Sequence, residues 1–342
     1  MRTCCRQSRS TRSKLEVEDT MLRTALCELF GIEVPIVLAP MGSATSAEFA
    51  AAVSNQGGLG GIGSLFRTTA AIKRDIDVVQ KLTNRPYAVN YIPQLLDADA
   101  FRYALEARPA VISFAVGDPG DLVRQVHDVG ARVMLQVTTV GQAVQAAERG
   151  VDVIIAQGGE AGGYSGNVST MVLVPQVVDA VSPIPVVAAG GIFDGRGIAA
   201  ALMLGAAGVN LGTRFLASKE SPISDEWRQA IIAAESEDTM KAEVLNDISP
   251  LPGTAGFNTV LRSLHTPFLD EWSTKREEAR RERDRLRNHV VSTHQAGRQH
   301  DTLLTAGQTA GGIKEILPVA EIMRRLIAEA EAALSKKTWT FS

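Results

Sequence analysis

The sequence contains few of the residues that would indicate a disulfide-rich, membrane-spanning or nucleic-acid-binding protein. Its 342 residues include three cysteines, too few for a disulfide framework, and this favours a reducing compartment such as the cytoplasm. No uninterrupted apolar segment reaches the roughly 18 residues of a membrane helix. The net charge is −3, so no overall positive field attracts nucleic acid or an anionic membrane. Its 45% hydrophobic and 21% charged residues are typical of a globular protein.

The first 20 residues differ from the rest of the chain. The segment 1–14, MRTCCRQSRSTRSK, contains five basic residues, no acidic residue and almost no apolar residue. A secretory signal needs an apolar core and a transit peptide needs an apolar face, and this segment has neither. We therefore predict a disordered basic extension over 1–20, with Met21 as a candidate natural start.

Short apolar segments alternate with helix-like segments from Leu22 onward. Eight of the apolar segments begin near residues 35, 59, 86, 110, 132, 152, 185 and 208. Regular βα alternation predicts a parallel sheet with helices outside it, and eight such units close into a barrel. The predicted fold class is α/β, a TIM (β/α)8 barrel. The alternative is an open, doubly wound sheet.

The alternation stops at Ala217, so a second kind of structure is expected after the eighth strand. We predict a helical cap or insertion over 217–300, and a barrel domain with a C-terminal helix formed by 21–216 and 301–342. The segment 277–288, EEARRERDRLRN, mixes both signs of charge, which favours a solvated helix over a nucleic-acid-binding arm. The chain then ends in an amphipathic helix whose apolar face is suited to docking on the barrel.

Two loops are predicted to form a phosphate site. Gly190 and Gly191 follow the seventh strand, and Gly212 and Thr213 follow the eighth. Neighbouring parallel strands deliver both loops to one edge of the sheet, where backbone N–H groups can surround an anion. The loops after strands 7 and 8 of a TIM barrel often hold a phosphate. The alternative is that these glycines only form tight turns.

The segment 58–63, GLGGIG, formally matches the dinucleotide-binding pattern G-x-G-x-x-G. In that motif the glycines follow a strand, and an acidic residue ends the next strand. Here the glycines lie within the strand, and the next strand, PYAVNYI, contains no acidic residue. We therefore reject a Rossmann site and expect either a backbone that faces a flat ligand or a tight packing contact.

Six motifs in this order make the chain resemble the nitronate monooxygenases, also called 2-nitropropane dioxygenase-like flavoproteins. They are VLAPMG (37–42), Asn90 on the third strand, AQGGEAGGYSG (156–166), AAGGIFDGRGIAAAL (188–202), NLGTRF (210–215) and GQTAGG (307–312). The resemblance covers roughly 30–217 and 307–312. It implies a TIM barrel that holds FMN without covalent attachment.

The same resemblance implies a set of flavin-binding positions. Ala39, Pro40 and Met41 are expected to lie against the isoalloxazine ring. The other implied positions are Asn90, Gln136, Gln157, Gly162, Gly190, Gly191, Asn210, Leu211, Gly212 and Thr213. Side-chain amides can both donate and accept hydrogen bonds, which suits the pyrimidine edge of a flavin. The alternative for Asn90 and Gln157 is an amide satisfied within the barrel core.

One position departs from the family pattern. Members usually have a histidine in the glycine loop after the sixth strand, where this chain has Tyr164. The five histidines all lie outside the barrel loops near that position. An unperturbed tyrosine has a pKa of about 10, so the usual base for nitroalkane deprotonation is missing. We expect Tyr164 to act as a catalytic hydrogen-bond donor, with activity on preformed nitronates and little on neutral nitroalkanes. The alternative is that Tyr164 only packs against the cap.

The resemblance leaves the reaction open between classes. The favoured one is FMN-dependent oxidation of alkyl nitronates with O2. The alternatives are an NAD(P)H-dependent flavin reductase that acts on a quinone or an enoyl thioester, and a flavin-binding protein without turnover. The expected partners are a small-molecule substrate and O2, with a homodimer possible, and no metal, nucleic acid or membrane. Arg196, Arg214 and Lys219 are unranked candidates for a cation beside the flavin.

Overall fold

The computed structural model describes residues 22–251 and 259–336, so the extension predicted over 1–20 lies outside the described residues. The described chain forms 12 strands: β1 Ile36–Leu38, β2 Gly60–Gly63, β3 Tyr87–Tyr91, β4 Val111–Phe114, β5 Arg132–Val137, β6 Val153–Gln157, β7 Gly163–Ser165, β8 Val186–Ala189, β9 Gly208–Leu211, β10 Thr239–Lys241, β11 Val260–Leu264 and β12 Leu304–Thr305.

The helices of the described residues alternate with the barrel strands and then continue into the insertion. They are α1 Ala25–Phe30, α2 Ala47–Asn55, α3 Thr69–Leu82, α4 Ala98–Ala107, α5 Leu122–Asp128, α6 Val140–Glu148, α7 Thr170–Val181, α8 Gly195–Met203, α9 Thr213–Leu216, α10 Asp225–Ala233, α11 Glu243–Ile248, α12 Pro267–Thr274, α13 Arg276–Arg281, α14 Arg283–Gln295 and α15 Val319–Leu334. Short 3₁₀ turns cover Gly42–Ala44, Pro93–Leu95, Ser236–Asp238, Gln299–Asp301 and Gln308–Gly312.

Eight parallel strands form the barrel, in the order β1-β9-β8-β6-β5-β4-β3-β2. The first and last strands of this order meet through a parallel bridge between Val37 and Leu59. Leu59 donates its N–H to the carbonyl of Ile36, and Leu38 donates its N–H to the carbonyl of Leu59, both at 2.9 Å. The predicted TIM barrel is therefore confirmed, and the open-sheet alternative is wrong.

Alternation along the short strands builds two separate cores. Val37 and Leu59 face the barrel interior, where they join Val111, Val153 and other inward residues. Their neighbours Ile36 and Leu38 belong to the larger core between the sheet and the helices. Because both faces of each strand are covered, the strands read as continuous apolar runs.

The glycines of β2 serve close packing. A Cβ atom added to Gly60 would overlap the carbonyl of Ala50 in α2, and one added to Gly61 would lie 2.9 Å from the carbonyl oxygen of Leu38. The backbone of β2 therefore approaches its neighbours more closely than any larger residue allows. Of the two expectations for this segment, tight packing is the one that the structure shows.

The insertion forms a cap that contains a sheet as well as helices. β10, β11 and β12 form an antiparallel sheet, and β7 from the loop after β6 pairs with β11. Helices α10 to α14 pack around this sheet. The sequence predicts only helices here, since β12 has two residues, β7 and β10 have three, and none shows an alternating pattern.

The terminal helix α15 closes the barrel layer against α8. It buries Val319, Ile322, Met323 and Leu326, as the spacing of its apolar residues predicts. The backbone N–H of Gly195, at the start of α8, donates to a carboxylate oxygen of Glu329 at 3.0 Å. Across 22–251 and 259–336, none of the helices has both the length and the apolar character needed to cross a bilayer.

Candidate active site

A cavity of about 200 Å³ lies between the carboxyl ends of the barrel strands and the cap. Every position that the resemblance implied lines it except Leu211, together with Tyr164. The lining set is Ala39, Pro40, Met41, Asn90, Gln136, Gln157, Gly162, Tyr164, Gly190, Gly191, Asn210, Gly212 and Thr213. The side chain of Leu211 instead packs in the core between the sheet and the helices.

The loop after β8 has a conformation that requires glycine. Gly190 has φ +94° and Gly191 has φ +72°, in the left-handed region that favours glycine. A Cβ atom added to Gly190 would lie 3.1 Å from the amide nitrogen of Ala161, the carbonyl of Gly158 and the hydroxyl of Thr170. The loop backbone therefore packs directly on the loop after β6, and both reach the cavity.

The loop after β9 connects two other segments of the site. The Thr213 hydroxyl accepts a hydrogen bond from the N–H of Gly307 at 2.9 Å, which brings the GQTAGG segment to the cavity. A Cβ atom at Gly212 would lie 3.4 Å from the sulfur of Met41 and 3.5 Å from the Cβ of Ala39. The segment Ala39–Met41 thus packs against the loop after β9, and position 212 has space only for glycine or a small residue.

Four residues with side-chain amides line the cavity, one each from β3, β5, β6 and β9. Asn90 donates to the carbonyl and hydroxyl of Ser113, at 3.2 and 3.0 Å, which leaves its own amide oxygen as an acceptor. Gln136 donates its amide nitrogen to the amide oxygen of Gln157 at 3.1 Å. Asn210 is buried, and its amide oxygen has no hydrogen-bond partner within the described residues. Buried polar atoms are normally paired, so this oxygen fits a site that binds a polar ligand.

The three cation candidates lie away from the cavity. Arg196 is exposed and pairs with Asp194. Arg214 donates to the backbone carbonyls of Ala217 and Glu315, and burial lowers its pKa to about 10. Lys219 lies on the surface. No lysine or arginine occurs among the described residues that line the cavity.

Tyr164 lies on β7, opposite Leu261 of β11. It lines the cavity and also packs against an apolar cluster of the cap that includes Leu245 and Leu261. Burial raises the pKa of the Tyr164 hydroxyl to about 12. The group therefore keeps its proton at neutral pH and can donate a hydrogen bond, but it cannot act as a base.

A histidine does reach the cavity, although none lies in a barrel loop near Tyr164 in the sequence. His294, near the end of α14, lines the cavity, and its Nε2 lies 2.6 Å from the hydroxyl oxygen of Ser43. Its ring centroid is 5.6 Å from that of Phe66. Burial lowers the pKa of the imidazole. The contact joins residues 251 positions apart, so sequence proximity could not reveal it.

The fold and the cavity define an enzyme of the (β/α)8 class, since such barrels have their active sites at the carboxyl ends of the strands. The sequence profile of the nitronate monooxygenase family matches residues 23–329, and the chain belongs to this family.

Known relatives of the chain are oxidoreductases of more than one kind. The chain is 40% identical over 222 residues to a (3aS,4S,5R,7aS)-5-hydroxy-7a-methyl-1-oxo-octahydro-1H-indene-4-carboxyl-CoA dehydrogenase of Mycobacterium tuberculosis, across 64% of this chain and 62% of the relative. It is 34% identical to a probable nitronate monooxygenase of Staphylococcus haemolyticus, across 65% and 75%. It also resembles the solved structure of FabK from Thermotoga maritima, with a TM-score of 0.82, 34% identity and coverage of 91% and 97%.

Proposed function

We propose that this protein is an FMN-dependent enzyme that oxidises alkyl nitronates with O2. The observation that carries the proposal is the convergence of the implied flavin positions, all but Leu211, on one cavity of a nitronate monooxygenase-family barrel. The relative from Staphylococcus haemolyticus, named a probable nitronate monooxygenase, supports the same reaction.

The residues present fit FMN better than a dinucleotide. Gly190 and Gly191 expose loop backbone, and Thr213 adds a hydroxyl, which suits one phosphate. The unpaired amide oxygen of Asn210 and the amides of Gln136 and Gln157 can hold the polar edge of a flavin. Ala39, Pro40 and Met41 would cover the ring. Bound there, FMN would supply the redox chemistry, in which electrons pass from the nitronate to the flavin and then to O2.

The chain's own residues would bind and orient the substrate. The Tyr164 hydroxyl keeps its proton and can donate a hydrogen bond to a nitronate oxygen. Ile92, Val116 and Leu303 give the cavity apolar walls that exclude water and accept an alkyl chain. Because a nitronate is already an anion, no proton has to be removed before it is oxidised.

A second candidate is an NAD(P)H-dependent reductase that passes electrons to a quinone or an enoyl thioester. Two comparisons favour it, since the mycobacterial relative is named a carboxyl-CoA dehydrogenase and the FabK structure covers 91% of this chain. The aligned part spans only 62% of the mycobacterial relative, so its activity does not transfer directly. Both candidates use the same cavity and differ in the electron donor and in the electron acceptor.

Anaerobic mixing distinguishes the candidates. The purified protein should be yellow and should release FMN, not FAD, when heated. A nitronate that bleaches the flavin without NAD(P)H, followed by recovery of colour when O2 is admitted, supports the proposal. Bleaching by NAD(P)H alone supports the reductase. A protein that binds FMN but reacts with neither donor would be a flavin-binding protein without turnover, and one that takes up no FMN contradicts the whole assignment.

A further inference from the structure

We propose that the pair formed by Ser43 and His294 is the proton acceptor of this site, so that neutral nitroalkanes are substrates as well as nitronates. This inference rests on the proposed function and adds a catalytic group to it. The imidazole comes from the cap, not from the glycine loop where Tyr164 stands. It reverses the sequence-based expectation that nitroalkanes are turned over poorly.

The other ionisable residues at the cavity are less suited to accept this proton. Among the described lining residues, only Glu160, Tyr164 and His294 have ionisable side chains. Burial keeps Tyr164 protonated. The Glu160 carboxylate accepts hydrogen bonds from the N–H and hydroxyl of Thr170, at 2.9 to 3.0 Å, and is oriented towards the start of α7. His294 remains, since it lines the cavity beside Ser43, and burial, which lowers its pKa, favours the neutral imidazole that can accept a proton.

Ser43 is held rigidly beside the cavity. It lies in the turn Gly42–Ala44, and a Cβ atom added to Gly42 would lie 2.7 Å from the carbonyl oxygen of Leu65. The hydroxyl of Thr45 donates to the carbonyl of Gly42 and accepts from the N–H of Gly63, both at 2.8 Å. These contacts tie the turn to β2 and place the backbone of Ser43 within reach of His294.

Contacts from the barrel also fix the imidazole. Ser43 bonds one ring nitrogen, and Phe66 packs against the ring. Both partners are uncharged, so neither stabilises the imidazolium before substrate binds. Phe66 has φ +62° and is 61% exposed, and both values are unusual for an aromatic residue. Its contact with His294 places it beside the cap. The pair thus spans the gap between barrel and cap, where an alkyl substrate would enter.

The proton transfer balances without a further reactant. The Cα–H bond of the nitroalkane breaks, its proton passes to Oγ of Ser43, and the hydroxyl proton of Ser43 passes to Nε2 of His294. The electron pair left on Cα delocalises into the nitro group and gives the nitronate. His294 becomes an imidazolium, Ser43 returns to a hydroxyl, and the nitronate is then the substrate of the reaction proposed above.

The test compares nitroethane with preformed ethyl nitronate at pH 7 and uses the ratio of the two kcat/KM values, because loss of flavin or of folded protein cancels in this ratio. The test variant is His294→Gln, whose amide can still bond Ser43 but cannot take the proton. His289→Gln is the matched control, since His289 is exposed on the same helix and packs against Phe268, away from the cavity. The ratio should fall at least about a hundredfold in His294→Gln and stay within threefold of wild type in His289→Gln.

Ser43→Ala provides a second variant if His294→Gln does not fold, because it removes a single oxygen, and its ratio should also fall. An unchanged ratio in both variants of the pair overturns the inference. Wild-type protein that oxidises the nitronate but not nitroethane overturns the inference and leaves the proposed function intact. An FMN-bound wild type that oxidises neither substrate overturns the proposed function, and the inference with it.

Discussion

Gly191 offers a direct test of where a phosphate would bind. Its φ of +72° strains any other residue, so a single substitution would confuse backbone strain with charge. Asparagine and aspartate have nearly the same shape, and both tolerate this region better than most residues. Comparing Gly191→Asn with Gly191→Asp therefore cancels the strain and isolates one negative charge beside the loop after β8.

The structure sets the expected size of the effect. The three atoms nearest to a Cβ atom at Gly191 all belong to the Glu160 side chain, at 3.7 to 3.8 Å, which is ordinary van der Waals contact, so a short side chain fits there. For a phosphate held by this loop, we assume a distance of roughly 5 Å from a carboxylate on that side chain. At an effective dielectric constant near 20, two unit charges at that distance repel by about 3 kcal/mol. This corresponds to roughly a hundredfold weaker binding of FMN to Gly191→Asp than to Gly191→Asn.

Titration of each apoprotein with FMN, followed by quenching of flavin fluorescence, gives the two dissociation constants. The repulsion between the new aspartate and Glu160 acts in both the free and the bound protein, so it largely cancels from these constants. Gly130→Asp is the control, since Gly130 also has positive φ, at +80°, but nothing lies within 4 Å of its Cβ position. Equal FMN affinity in the two Gly191 variants would refute the assignment of the phosphate to this loop.

Three further outcomes follow from burial and packing. Tyr164→Phe should lower kcat/KM for the nitronate by an amount equivalent to the loss of one hydrogen bond to a charged group, about 1.5–3 kcal/mol of transition-state stabilisation. The pH profile from 7 to 9 should match that of wild type, because burial raises the tyrosine pKa to about 12, and a changed profile would show that Tyr164 titrates in this range. Asp75→Ala should lower the free energy of unfolding in urea by about 3–5 kcal/mol, since it leaves the buried Arg67 side chain without its ion-pair partner. Arg102→Ala breaks an exposed ion pair and should lower the free energy of unfolding by under about 1 kcal/mol. Equal losses in the two variants would contradict this reasoning. Gly60→Ala should destabilise the fold by about 1–3 kcal/mol or prevent folding, because its methyl group would overlap the α2 backbone, and a wild-type melting temperature would show that α2 can move away.

The barrel and most of the cavity lining could be predicted because they depend on local patterns. Each barrel strand is a short apolar run such as Val186–Ala189, followed at once by a polar or glycine turn. Parallel packing then places all such turns at one edge, so knowing the strands is enough to group Gly190 with Thr213 and Asn90. The exception among the implied positions is Leu211, since alternation along β9 turns its side chain outward while that of Asn210 faces the cavity.

The contribution of the cap could not be predicted, because it depends on contacts between distant segments. The sequence around His294 is charged and mixed, so it indicates a helix but not which barrel loop that helix meets. β7 and β12 are too short to show a pattern, and each is stabilised only by its pairing with β11. A histidine supplied from such a region is found only when the fold is known.

The pairing of β7 with β11 limits where the cap can be deleted or replaced by the cap of a relative. The side chains of Arg262 and Lys241 reinforce it by donating to the carbonyls of Gly159 and Ser165, in the loop that carries β7. Deleting 217–300 would therefore leave an unpaired strand edge on the barrel, open to association with another chain. A chimera that carries a relative's cap should also carry that relative's loop at 158–170, because the loop and the cap at 217–300 pair with each other and have to match.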